Sequence, residues 1–428
     1  MGSTDPAAVA AAVADAHRRE WAFVLAATVR VTRDLDLAQE CAQDAFAAAL
    51  TNWRRSGVPT RPGAWLTTAA RRRALNAVRH RGVEARYLPL LVEDDAQPGP
   101  EDLVLDRDGV IPDDRLRLVA TCCHPALDRP AQVALTLRLV CGLSTAEVAR
   151  AFLVGESTMA ARITRAKKKI ALARIPYRVP AAAELPERVE AVLMVVHTLF
   201  TTGHTAPSGD ELVRRDLVER SFELCRLLRR LLPRDPAVAG LLALLLLTDA
   251  RRETRTGPDG RLLLLQEQDR SRWDRAAVAE GVALVREALR ARPPSRYALQ
   301  AAIAAVHAEA PRWQDTDWRE VLALYDVLVR VWPSPVVRLN RAAAVGFAEG
   351  PAAGLAELDA LATEPQLAGY GYLPAARAEL LHRLGRADEA RQAWTEALLL
   401  TENTVERGFL DQRLTALDDP AGAGGGAG

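Results

Sequence analysis

The sequence predicts an all-α protein, on three observations. Apolar residues recur at spacings of three and four almost throughout, alternating β-branched runs are nearly absent, and prolines fall between the periodic stretches. With 49% hydrophobic and 26% charged residues, the 428-residue chain has enough apolar surface for two or three packed domains and is not a disordered polymer.

The elements follow in order. Helices are expected near 7–31, 35–54 and 62–82 in a first block, about 1–90. In 35–54 the alanines 38, 42, 45 and 49 form one side, with Phe46 and Leu50 alongside, while Asp36, Glu40, Gln43, Asp44 and Ala47 face elsewhere. In 62–82 Arg72, Asn76 and Arg79 share a stripe with Arg71 adjacent, and Trp65 and Leu66 lie near the start. A stretch at 91–112, rich in Pro, Gly and acids, has no periodicity and reads as a flexible linker. A compact helical unit at 113–175 follows. A helical region then runs over 180–418, before a Gly-rich tail at 419–428 that has no side chains to bury and is expected to be disordered.

Charge is sorted by block. The net charge is only +1, yet Trp53–Val92 carries nine Arg against one Glu, Glu93–Asp114 nine acids against one Arg, and Arg162–Arg174 six bases and no acid. A neutral enzyme domain has little reason for such segregation. Arginine outnumbers lysine 53 to 3, a ratio that genome composition explains. The longest apolar run, Leu241–Leu247, has seven residues against the roughly 20 needed to span a bilayer. No secretory signal opens the chain, and its five cysteines form no CxxC pair, so a cytoplasmic protein with reduced thiols is expected.

The most specific local pattern is Asp128–Leu172. Asp128 and Pro130 open one helix, which runs to Cys141-Gly142, and Ser144-Thr145-Ala146-Glu147 is a capping box opening a short second helix. A third helix starts at Glu156 beyond a tight turn. Met159, Ile163, Ala166 and Ile170 form its apolar stripe, and Thr158, Arg162, Arg165 and Lys169 a polar one, with Ser157, Ala161 and Lys168 beside it. A recognition helix is built this way: one side docks on the scaffold, polar N-terminal residues meet base edges, and later basic residues meet phosphates.

The remaining motifs carry less. Cys122-Cys123-His124 lacks a second ligand pair and reads as packing; His197 and His204 flank a short loop; and Glu267–Asp274 (EQDRSRWD) reads as an ion-paired loop holding helices together. Gly385–Leu398 has the spacing of a tetratricopeptide helix pair, and Gly350 lies 35 residues earlier, near the period of such repeats. No Walker loop, HExxH or GxSxG is present, so neither an enzyme activity nor a cofactor is expected.

With these blocks in hand, the chain resembles an extracytoplasmic-function sigma factor. Ala38–Phe46 looks like the family's helix that docks on the clamp helices of the polymerase, which implies a core-binding surface at Glu40, Gln43, Asp44 and Phe46. Pro62–Leu66 through Ala70-Arg71 to Asn76 looks like the part that melts and reads the minus-ten element, which implies Trp65, Arg71, Arg72, Asn76 and Arg79. The helix-turn-helix at 129–172 looks like the reader of the minus-thirty-five element, which implies Glu156, Ser157, Thr158, Arg162, Arg165, Lys168 and Lys169. The remainder resembles the subgroup with a long, tetratricopeptide-like extension, on Thr121–Pro125, Glu267–Asp274, Leu299–His307 and Pro333–Val337 with Leu339–Arg341. It departs from that subgroup at Phe200–His204. The resemblance implies core RNA polymerase and promoter DNA as partners, no membrane, and an extension that modulates activity by folding back on the sigma domains or by holding a separate regulatory protein. A stand-alone helix-turn-helix regulator with a helical sensor domain is the alternative.

Overall fold

The computed structural model describes residues 5–87, 112–152, 154–178 and 184–418; most of the acidic segment 91–112 and all of the tail 419–428 lie outside them. The described residues are almost wholly helical and divide into two compact units, Met1–Val195 and Val196–Gly428.

The first unit opens with α1 (Pro6–Thr32), α2 (Leu35–Ser56) and α3 (Pro62–Tyr87), which pack mutually. Asp5 caps α1 by accepting from the Ala7 N–H, and Asp34 caps α2 by accepting from those of Asp36 and Leu37. The alanine side of α2 is fully buried, so α1 and α3 approach it closely, and Trp53 closes the bundle edge-on to Trp65 at 5.7 Å. Then come α4 (Pro112–Cys122), α5 (Arg129–Leu135) continued by a π-turn at Thr136–Val140, α6 (Thr145–Ala151) and α7 (Glu156–Leu172). The blocks 1–90 and 113–175, read separately in the sequence, are one packed unit: α4 lies on α1, with the Arg115 guanidinium 3.6 Å from the Phe23 ring centre. The division falls inside α8 (Leu185–His204) rather than at residue 180, because Arg188 donates to the buried Ala120 carbonyl at 2.8 Å.

The second unit is a succession of helices, each packed on the next: α9 (Arg215–Leu231), α10 (Pro236–Asp249), α11 (Arg275–Ala288), α12 (Arg296–Glu309), α13 (Trp318–Val331), α14 (Pro335–Ala348), α15 (Pro351–Asp359), α16 (Tyr372–Arg383), α17 (Ala387–Leu400) and α18 (Thr404–Asp418). The apolar run Leu241–Leu247 is the centre of α10, buried all round by α9, α11 and α12. Gly240 permits that burial: a Cβ there would lie 2.7 Å from the Ala298 backbone nitrogen on α12. The array closes on itself. Strands β1 (Ser208–Gly209) and β2 (Glu402–Asn403) pair in parallel, and the fully buried Asn403 amide donates to the Ala206 and Glu211 carbonyls, each at 3.0 Å.

Glu267–Asp274 holds helices together by hydrogen bonds rather than the expected ion pairs. Asp269 and Asp274 spend their carboxylates on backbone N–H groups, and Arg270 donates to the His307 and Ala310 carbonyls at the end of α12. Cys122 and Cys123 are buried, the latter 3.5 Å from the Thr136 hydroxyl, and His124 spends Nδ1 on the Ala126 N–H.

Candidate nucleic-acid interface

The α6–α7 pair is built as its sequence dictates. Glu147 accepts from the Ser144 N–H at 2.6 Å and donates its own N–H to the Ser144 hydroxyl at 3.2 Å, the two halves of a capping box. Before it, Gly142 takes a left-handed φ of 72° and passes within 3.0 Å, at the Cβ position, of the Trp21 ring; a side chain would strain the turn and strike the indole. Helix α7 starts at Gly155 with Glu156 in its first turn. Met159, Ile163, Ala166 and Ile170 are buried against α5 and α6, and each of the larger three contributes about 2 kcal/mol through that burial. The opposite face carries Glu156, Ser157, Thr158, Arg165, Lys168 and Lys169, all exposed. Arg162 is half-buried, its guanidinium 5.6 Å from the Phe152 ring centre, and so stands at the edge of that face.

On α3, Arg72, Asn76 and Arg79 are exposed on one stripe, while Trp65 is half-buried against Trp53. Arg71 turns away from that stripe: it is half-buried near Arg30 and Asp114, and burial, with the Arg30 charge, lowers its pKa. On α2, Glu40, Gln43 and Asp44 are exposed. Phe46 is not a surface residue. It is 6% exposed and packs on His17 and Trp21, with ring centres 5.1 and 5.8 Å away, because its ring completes the apolar side that the alanines begin.

Residues 17–83 match the family model of sigma-70 region 2, and residues 117–170 match that of sigma-70 region 4. The chain is a sigma-70 family sigma factor. A third match, over residues 188–289, is to a family of unknown function, DUF6596. The sigma factor is also similar to a protein of Rhizobium meliloti (strain 1021) named "Uncharacterized protein R00370", with 43% identity over 394 residues covering 92% of this chain and 93% of the relative. Regions 2 and 4 on one chain do not favour a stand-alone regulator; the family's partners are core RNA polymerase and promoter DNA. Among the described helices none is long and apolar enough to cross a membrane.

In this sigma factor regions 2 and 4 are docked on each other, through residues that sequence reasoning did not single out. The Trp21 indole N–H donates to the Leu139 carbonyl at 3.0 Å, a buried bond across 118 positions. The Tyr177 hydroxyl lies 3.1 Å from both the Ala26 and the Asp114 carbonyls. Lys167 leaves the recognition helix α7 in the other direction and meets α2, its ammonium 2.8 Å from the Asp36 carboxylate and 2.7 Å from the side-chain amide oxygen of Gln39. The Lys167 side chain is 11% exposed and that of Asp36 75%. The signal for Lys167 was its place in the heptad-like count of α7: it follows Ala166 of the buried stripe, not the exposed face.

Proposed function

We propose that the chain is a cytoplasmic sigma factor of the extracytoplasmic-function type, in which α2 engages core polymerase through Glu40, Gln43 and Asp44. In this reading α3 opens the minus-ten element with Trp65, Arg72, Asn76 and Arg79, and α7 holds the minus-thirty-five duplex with Ser157, Thr158, Arg165, Lys168 and Lys169. Arg162 supports that face from its edge. Glu156 shapes the helix start, and Arg71 positions α3 against α1. The polymerase supplies the chemistry. The observation that carries the reading is α7: a helix with one fully buried stripe and, opposite it, polar residues at the N-terminal end followed by exposed cations.

The docked state has a consequence for activity. The two promoter elements, as their names state, lie about 25 base pairs apart, roughly 85 Å of duplex at ~3.4 Å per pair. A 195-residue unit has a radius of gyration of only about 16 Å. Regions 2 and 4 must therefore separate before both elements are held, and the Trp21–Leu139 and Lys167–Asp36 contacts are what opening breaks. The second unit is the modulating extension, acting on that equilibrium by folding back or by holding a regulator.

Reversing charge on α2 tests the assignment. Glu40→Lys with Asp44→Lys removes two exposed acids that make no described hydrogen bond or ion pair, so helix content should hold while association with core polymerase falls at least about tenfold. Unchanged association would reject α2 as the docking helix.

A further inference from the structure

In the first unit a cavity of about 140 Å³ opens between the end of α4, the segment that follows α7 and the start of α8. Ala120, His124, Pro176, Arg178, Glu184 and Arg188 line it. Its walls are held from behind. The hydroxyl of Tyr177, between Pro176 and Arg178, lies 3.1 Å from both the Ala26 and the Asp114 carbonyls. The Gln132 amide donates to the His124 and Leu127 carbonyls at 3.0 and 3.1 Å. The volume is that of about five waters at the ~30 Å³ each occupies in the liquid, which suits a molecule of about five non-hydrogen atoms.

The cavity offers donors and one positive charge. Arg188 is 9% exposed; its Nη1 donates to the Ala120 carbonyl, and its Nε and Nη2 make no hydrogen bond among the described residues. Those two nitrogens form the side of a guanidinium that receives both oxygens of a carboxylate in parallel bonds. Arg178 is paired with Glu184 at 3.0 Å, so these two charges offset each other, whereas no described carboxylate stands at ion-pair distance from Arg188. His124 adds a further donor. Burial, and then the Arg188 charge, lowers its pKa, so the ring is neutral at pH 7. Its Nδ1 accepts from the Ala126 N–H at 3.1 Å, which places the ring proton on Nε2.

We propose that this cavity is a binding site for a short-chain monocarboxylate, held by Arg188 Nε and Nη2 and by His124 Nε2. One unmatched cation, on which Glu184 and Glu187 already act from beyond ion-pair distance, suits a single negative charge better than two. Ala120 and Pro176 have no polar side-chain atoms and accept a short apolar tail. The site lies within the first unit and does not rest on the promoter-reading assignment.

The test uses the purified full chain and propionate, followed by saturation-transfer difference NMR over a concentration series. Propionate should give a saturable signal, and propionamide, its uncharged isostere, should not. Arg188→Gln should weaken binding at least about tenfold. Because that change also touches the Ala120 contact, His124→Asn keeps the test decisive: asparagine can still accept from the Ala126 N–H but lacks the Nε2 donor, and binding should weaken about threefold. Glu184→Gln, at a half-exposed position, removes a nearby negative charge and should tighten binding about twofold. Absence of a saturable signal, equal binding of propionamide, or parent-like binding by folded Arg188→Gln and His124→Asn proteins would overturn the proposal. Inorganic phosphate displacing propionate as effectively as acetate does would replace it with an unselective anion site. Neither DNA nor polymerase enters the assay, so its failure and a failure of promoter reading are separate results.

Discussion

Replacing Lys167 by methionine keeps the aliphatic stem against α2 and removes only the charge that ties the recognition helix to it. At 2.8 Å the bare attraction to Asp36 is about 6 kcal/mol for an effective dielectric of ~20. Asp36 is three-quarters exposed, however, and solvent screening together with the entropy of holding both side chains leaves a net value of about 1 kcal/mol, the Gln39 bond included. That energy favours the docked state alone, so losing it shifts the opening equilibrium about fivefold. If core polymerase takes only the open form, apparent affinity rises by the same factor. Titrating labelled Lys167→Met protein with core polymerase should therefore give a dissociation constant about fivefold lower than the parent's, and the gain should shrink in high salt, where the parent's ion pair is itself screened. An unchanged or weaker affinity from a folded variant would refute the claim that this contact restrains opening.

The division of labour on α7 gives a second expectation: Arg165→Ala should cost roughly 1–3 kcal/mol on a minus-thirty-five duplex and relax sequence preference, whereas Lys168→Ala should weaken all duplexes alike and lower the salt slope by about one, both read by binding isotherms across salt. Arg162→Ala should add a small loss of melting temperature, since its guanidinium packs near Phe152. Gly240→Ala should destabilise the second unit by about 1–3 kcal/mol in urea melts, because the new methyl meets the Ala298 backbone, which has no flexible end to yield. Acid should weaken that unit early. Burial first, then neighbouring arginines, lowers the pKa of His197 to about 4, of His204 to about 2 and of His307 to about 4, so the unfolded chain binds more protons between pH 6.5 and those values. Stability is then unaffected above pH 6.5 and falls as pH drops below it, by about 1 kcal/mol per histidine at pH 5.5, and His307→Gln should flatten the melting-temperature profile by its share.

What the sequence made legible was whatever short-range periodicity encodes. The alanines of α2, the stripe Met159, Ile163, Ala166 and Ile170, and the Ser144–Glu147 box all act within one or two helical turns, and the structure places them as their spacing dictates. Phe46 shows the limit: spacing put it beside the apolar side of α2, but only the positions of His17 and Trp21 decide that it is covered. The docking of regions 2 and 4 depends on pairs such as Trp21 with Leu139 and Lys167 with Asp36, more than a hundred positions apart, which no local pattern records. In Glu267–Asp274 the charges were visible, but not that backbone N–H groups and carbonyls, rather than opposite charges, would be their partners. Asn403 is the clearest case: an unremarkable residue in the sequence, it joins the two ends of the second unit.

Run-off transcription with purified core polymerase, the full chain and a library of genomic promoter fragments tests the central claim most directly. The account predicts discrete start sites absent with core enzyme alone, preceded by two shared elements about 25 base pairs apart, and lost when Asn76 and Arg165 are replaced together by alanine. Transcripts identical to those of core enzyme alone, from a chain that still binds duplex DNA on its own, would contradict it.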